Sequence, residues 1–106
     1  MAIINVNNEN FDEYIGSSRP LLVEYHAPWC VYCRRIAPAV NELAEKYADR
    51  LDVLEIDIDV SPEIADKNGV EVVPTFIVIK NGENLGSVVS PDSKAALESF
   101  IAERLG

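Results

Sequence analysis

Both cysteines of this 106-residue chain fall in one run, Glu24-Tyr25-His26-Ala27-Pro28-Trp29-Cys30-Val31-Tyr32-Cys33, where an expected strand gives way to an expected helix. Two thiols three positions apart on the first turn of a helix lie on neighbouring faces, close enough to close a small disulfide ring. The helix N-terminus supplies a partial positive charge and unpaired N–H groups, which favour a thiolate and lower the pKa of the first cysteine. Cys30 is therefore the expected nucleophile. Cys33, one turn deeper, is placed to attack the mixed disulfide that Cys30 forms with a partner, which releases product and oxidises the pair. The chemistry is thiol–disulfide exchange.

The elements that must position these thiols follow from periodicity. Ile3 to Val6 reads as a short strand, and Asn8 as the cap of a helix carrying Phe11, Tyr14 and Ile15. Leu21 to His26 is a short apolar, β-favouring run expected as a buried central strand, with Glu24 as a misfit in its middle. From Cys30 to Tyr47 the residues Ile36, Val40, Leu43, Ala44 and Tyr47 recur at helical spacing, with Pro38 expected to kink the helix. Val53 to Ile58 alternates as a strand; Ser61-Pro62 and Asn68-Gly69 bracket a short helix. Asn81-Gly82 predicts a hairpin between Thr75–Lys80 and Asn84–Val89. The last helix carries Leu97, Phe100, Ile101 and Leu105, with Ser90 or Asp92 as its cap. The order β-α-β-α-β-α-β-β-α implies an α/β fold, a mixed sheet of five strands covered by four helices on both faces. The cysteines then lie at a carboxyl edge, where α/β sheets place ligands.

Composition narrows the partners. With 48% hydrophobic and 25% charged residues, residues 1–106 are expected to form a single domain with its own core. A net charge of −9 argues against nucleic acid and anionic membranes. No apolar run reaches transmembrane length, and the first thirty residues lack the blocks of a secretory signal. Two cysteines spent on one motif leave no structural disulfide framework, so a reducing cytoplasm is the expected location.

Several motifs together carry a family likeness: Trp29-Cys30-Val31-Tyr32-Cys33, Ile36-Ala37-Pro38, Val73-Pro74-Thr75 before an apolar strand, and Lys80-Asn81-Gly82. On these the chain resembles the thioredoxin family across essentially its whole length. The resemblance implies a thioredoxin fold, a reactive edge made by Trp29 and Cys30, and a cis bond at Pro74. It also implies that the backbone of Val73 and Pro74 takes part in docking an extended substrate segment, with Val31, Tyr32 and Ser90 completing the contact surface. The activity implied is reduction of disulfides in protein substrates by a monomer without cofactor or metal of its own. Electrons would come from a separate NADPH-dependent flavoprotein, a thioredoxin reductase-like donor.

The departures from the family pattern have physical consequences. Val31-Tyr32 replaces the usual Gly-Pro, and these residues help set the reduction potential. Glu24 stands where thioredoxins have a buried aspartate. A carboxyl buried near Cys33 would have its pKa raised by desolvation, which suits it to take and return the resolving thiol's proton; otherwise it is a strand-end carboxylate reaching water. Glu55 occupies the place of a lysine, so its approach to Glu24 would drive one carboxyl higher still. Arg34 and Arg35 could offset this, or be simply solvated. Ser90 falls at about the position of a family glycine, in a loop expected to be bulkier and stiffer.

Other readings stand beside the reductase. The stretch around Glu24 and Ala27-Pro28 looks like a protein disulfide isomerase domain, which would run closer to balance or donate its disulfide. Tyr32 is similar to the glutaredoxin dipeptide, without that family's glycine-rich glutathione segment. His26, the sole histidine, invites a proton-transfer role, against the alternative that it fills an aromatic slot. A metal module could use Cys30 and Cys33 with His26 or by bridging two chains, but one C-x-x-C with one histidine falls short of the four ligands of a structural zinc site.

Overall fold

The run Leu21–His26 becomes the central strand because residues 21–25 are all buried, on both faces of the sheet. The computed structural model describes residues 3–106. Along the chain these form β1 (Ile3–Val6), α1 (Phe11–Ile15), β2 (Leu21–His26), α2 (Val31–Lys46), β3 (Asp52–Asp57), α3 (Pro62–Lys67), β4 (Thr75–Lys80), β5 (Glu83–Val89) and α4 (Lys94–Leu105). The sheet order is β1-β3-β2-β4-β5. β1 and β2 flank β3 in parallel, whereas β4 is antiparallel to both β2 and β5, so the sheet is mixed as expected.

Strand alternation splits the core in two. Leu22, Val53, Phe76 and Val78 pack with Ile36, Val40 and Leu43 of α2 and with Leu97, Phe100 and Ile101 of α4. Leu21, Val23, Tyr25, Leu54 and Ile56 pack on the other side with Phe11 of α1 and Ile64 of α3. Each large apolar side chain so buried stabilises the fold by about 1.5–3 kcal/mol before entropy is counted. Glu24 shares the parity of Leu22 and therefore points toward α2.

α2 runs unbroken across Pro38. That residue has no N–H to give to the carbonyl four positions back. At the far end, Tyr47 Oη donates to Glu98 Oε2 at 3.0 Å and Lys46 pairs with the same carboxylate, which ties α2 to α4. The β4–β5 turn has Asn81 and Gly82 at φ 54° and 78°, the doubly left-handed backbone that selects Asn-Gly in two-residue hairpins.

Two helix caps differ from expectation. The N-cap of α1 is Asn10, not Asn8, because Asn7 and Asn10 exchange hydrogen bonds in the loop: Asn7 N–H donates to Asn10 Oδ1 at 2.8 Å and Asn10 N–H to Asn7 Oδ1 at 3.2 Å. The cap of α4 is Ser93, not Ser90 or Asp92; its Oγ accepts from the Ala96 N–H at 3.0 Å. Ser61 precedes α3 as expected, but its hydroxyl makes no cap bond. Among the described residues no helix is long and apolar enough to cross a membrane.

Candidate active site

Cys30 is the N-cap of α2, extended at φ −84° and ψ 109°, and its Sγ accepts from the Cys33 N–H at 3.1 Å. The first sulfur therefore sits on an unsatisfied amide at the positive end of a 16-residue helix. Cys30 and Cys33 are joined in a disulfide with a Cα–Cα separation of 5.2 Å, inside the range such bonds require. Each cysteine is only 6% exposed. Across from them the Val73–Pro74 peptide is cis, and the Val73 carbonyl oxygen lies 3.7 Å from Cys30 Sγ.

Exposed apolar side chains adjoin this buried disulfide along the chain. Trp29 is 63% exposed, and Val31 and Tyr32 project from the first turn of α2. Val60, Val72 and Val89 are also exposed, on loops and a strand end outside that turn. The Trp29 indole N–H donates to the Asp59 carboxylate at 3.1 Å, which anchors an exposed ring. Asp59 was invisible in the motif because nothing in the spacing joins it to Trp29; it follows β3, whose end lies beside that of β2. Ser90 takes φ 47°, the left-handed backbone suited to glycine, and its N–H donates to the Pro74 carbonyl at 2.8 Å.

Beneath the disulfide lies a cleft of about 310 Å³ lined by Glu24, His26, Pro28, Cys33, Arg34 and Glu55, with Ala27 and Ala37 completing the wall. It brings the misfit acid of β2 to the second cysteine. Glu24 is 2% exposed, and its Oε1 has no hydrogen-bond partner among the described residues. Burial, then the Glu55 carboxyl beside it, pushes its pKa up to about 9. Glu55 is its register neighbour on β3. The Arg34 guanidinium donates to the Pro28 carbonyl at 2.7 Å, whereas Arg35 lies over the Tyr32 ring, 6.0 Å from its centroid. His26 ends β2 half-buried, its carbonyl accepting from the Ile58 N–H at 2.9 Å.

A disulfide capping a helix and facing a cis-proline on this mixed sheet defines a thiol–disulfide oxidoreductase centre. The chain belongs to the thioredoxin family, whose family model matches residues 2–103. It is 44% identical over 97 residues to the chloroplastic M-type thioredoxin of Pisum sativum, covering 91% of this chain and 56% of that protein. It is 41% identical over 105 residues to the thioredoxin of Staphylococcus haemolyticus, covering 99% and 100%. Thioredoxin 1 of Synechococcus elongatus is 36% identical over 93 residues, covering 88% and 87%. The chain thus spans a little over half the length of the chloroplastic protein from Pisum sativum, all of the Staphylococcus haemolyticus protein and most of the Synechococcus elongatus one. The comparisons, all of them with thioredoxins, do not favour the isomerase, glutaredoxin or metal readings.

Proposed function

We propose that the protein is a protein-disulfide reductase in which residues 1–106 act as one thioredoxin domain. The observation that carries this is the disulfide at the α2 N-cap, buried between an exposed apolar rim and the Val73–Pro74 backbone. The Cys30 thiolate attacks one sulfur of a target disulfide; a Cys30–target bond forms and the other target sulfur leaves as thiolate. Cys33 then loses its proton and attacks Cys30 Sγ. The second target thiolate leaves, so the target gains two electrons and the pair becomes the disulfide. Glu24 is the group in the cleft that exchanges a proton with Cys33. When a donor reopens the bond, the protonated Glu24 supplies the proton that Cys33 takes up.

Trp29, Val31 and Tyr32 supply the apolar contact surface, and Val73, Pro74 and Ser90 the backbone wall against which an extended segment of the target lies. The protein works as a monomer with no bound cofactor, accepting electrons from an NADPH-dependent flavoprotein reductase. A reducing compartment, the cytoplasm, suits a chain whose two cysteines are both at the centre.

The test is the reduction potential of the Cys30/Cys33 pair, measured by equilibration in defined thiol–disulfide buffers. A value near about −270 mV supports the reductase; one near about −180 mV or higher moves the assignment to an isomerase or oxidant.

A further inference from the structure

We infer that Glu24 and Glu55 form one carboxyl pair sharing a single proton beneath Cys33, with Glu55 the positioning residue that decides when Glu24 releases it. The inference rests on the reading that Glu24 exchanges its proton with Cys33. Glu24 and Glu55 are register partners on adjacent parallel strands, so their side chains leave the same face of the sheet into one cleft. Two carboxylates so placed cannot both ionise cheaply.

Neither carboxyl has a direct charged partner among the described residues. Glu55 is flanked on its other side by Asn5 of β1, and Glu24 by Phe76 of β4, neither of them charged. No ion pair among the described residues includes Glu24 or Glu55. β2 contributes His26 and α2 contributes Cys33 and Arg34; the guanidinium keeps its charge in the cleft but donates to the Pro28 carbonyl and forms no ion pair with either carboxyl among the described residues. On β3, Asp57 accepts from the Asp59 N–H at 2.8 Å. From α4, Glu98 is held by Lys46 and Tyr47, and Lys94 by Glu42. α1 and α3 pack on the opposite face. The unpartnered Glu24 Oε1 marks where a shared proton would make the missing hydrogen bond.

A pair holding one proton at neutral pH places one negative charge, not two, under the resolving cysteine. It is poised to give a proton to Cys33 as the disulfide opens, and to assist Cys33 attack only when made alkaline. Glu55 thereby sets the pH at which the two half-reactions exchange advantage.

The experiment follows oxidation of the reduced protein by a small aromatic disulfide, using Trp29 fluorescence in stopped flow, across the neutral and alkaline range. Wild type, Glu55→Gln, Glu55→Lys, Glu24→Gln and Glu24→Gln/Glu55→Gln are compared, and the protonated carboxyl band is read in parallel by infrared titration. Glu55→Gln should move the alkaline inflection and the carboxyl titration acidward together by about one pH unit, Glu55→Lys further. In the Glu24→Gln background Glu55→Gln should leave the alkaline inflection in place. An inflection and a carboxyl titration that stay in place in both single variants overturn the shared proton. A carboxyl titration that moves while Glu24→Gln leaves the kinetic profile unchanged retains the pair and overturns instead the proton exchange with Cys33.

Discussion

The Cys33 N–H donates to Cys30 Sγ at 3.1 Å, so the resolving residue's own backbone stabilises charge on the first sulfur. The two cysteines are thus unequal before any substrate arrives: one holds the positive end of α2, the other backs onto the cleft of Glu24.

That inequality predicts the order of reaction. In the reduced protein, iodoacetamide should label Cys30 first, with an apparent pKa below the free-cysteine value of about 8.5. Cys33→Ser should accumulate a mixed disulfide through Cys30, seen as one added target mass under non-reducing conditions, while Cys30→Ser forms none. Labelling that began at Cys33, or no trapped species in Cys33→Ser, would reverse the assigned roles.

Asp59 matters because it orients Trp29, not because it touches sulfur. Asp59→Ala removes the acceptor of the indole N–H while leaving an exposed loop otherwise intact. The loss should be about 1 kcal/mol, a fall of about five-fold in kcat/KM for a protein disulfide. A small disulfide that makes no rim contact should react at the wild-type rate. Equal losses on both substrates would mean that Asp59 acts on the thiols.

The element order was legible in the sequence because it rests on periodicity and turn chemistry, such as the apolar spacing from Ile36 to Tyr47 and the Asn81-Gly82 turn. Cap positions were less so. Several Asn, Asp and Ser residues precede α1 and α4, and only the fold decides that Ser93 meets the Ala96 N–H while Ser90 turns left-handed to reach Pro74. The cysteine pair and the buried acid were readable from spacing and from a charge misplaced in an apolar run. The Trp29–Asp59 bond and the exposed Val60 and Val72 were not, since adjacency of loops at strand ends is a property of sheet order.

Ser90 holds a conformation that glycine adopts more easily. Ser90→Gly should keep or raise stability, whereas Ser90→Val, β-branched at φ 47°, should lose about 1 kcal/mol or more. Urea denaturation midpoints at constant m-value check this. A Val variant as stable as wild type would mean that the loop relaxes out of the left-handed backbone.

Tyr25 is fully buried and its hydroxyl has no partner among the described residues, while burial pushes its pKa to about 12. Tyr25→Phe removes the polar atom and keeps the ring. It should stabilise the protein by about 1 kcal/mol, the cost of an unsatisfied buried hydroxyl. A destabilised Phe variant would show that the hydroxyl is hydrogen-bonded in solution, most simply to a trapped water.

Glu24 ties stability to pH with a sign opposite to that of an ion-paired carboxylate. Its pKa is raised from 4.5 in the unfolded chain to about 9 in the fold, so between these values the native state keeps a proton that the unfolded state has lost. Below 4.5 both states are protonated and the full benefit is present; as pH rises through this window it declines, until above about 9 both are ionised. The slope within the window approaches at most about 1.4 kcal/mol per pH unit. Glu24→Gln, neutral at every pH, should lose this decline. The variant should therefore gain on wild type steadily from pH 5.5 to 8.5, as read from urea unfolding in the oxidised state. Stability curves that stay parallel over that range would mean that Glu24 is already ionised in the fold, which would remove both the proton donor and the basis for pairing it with Glu55.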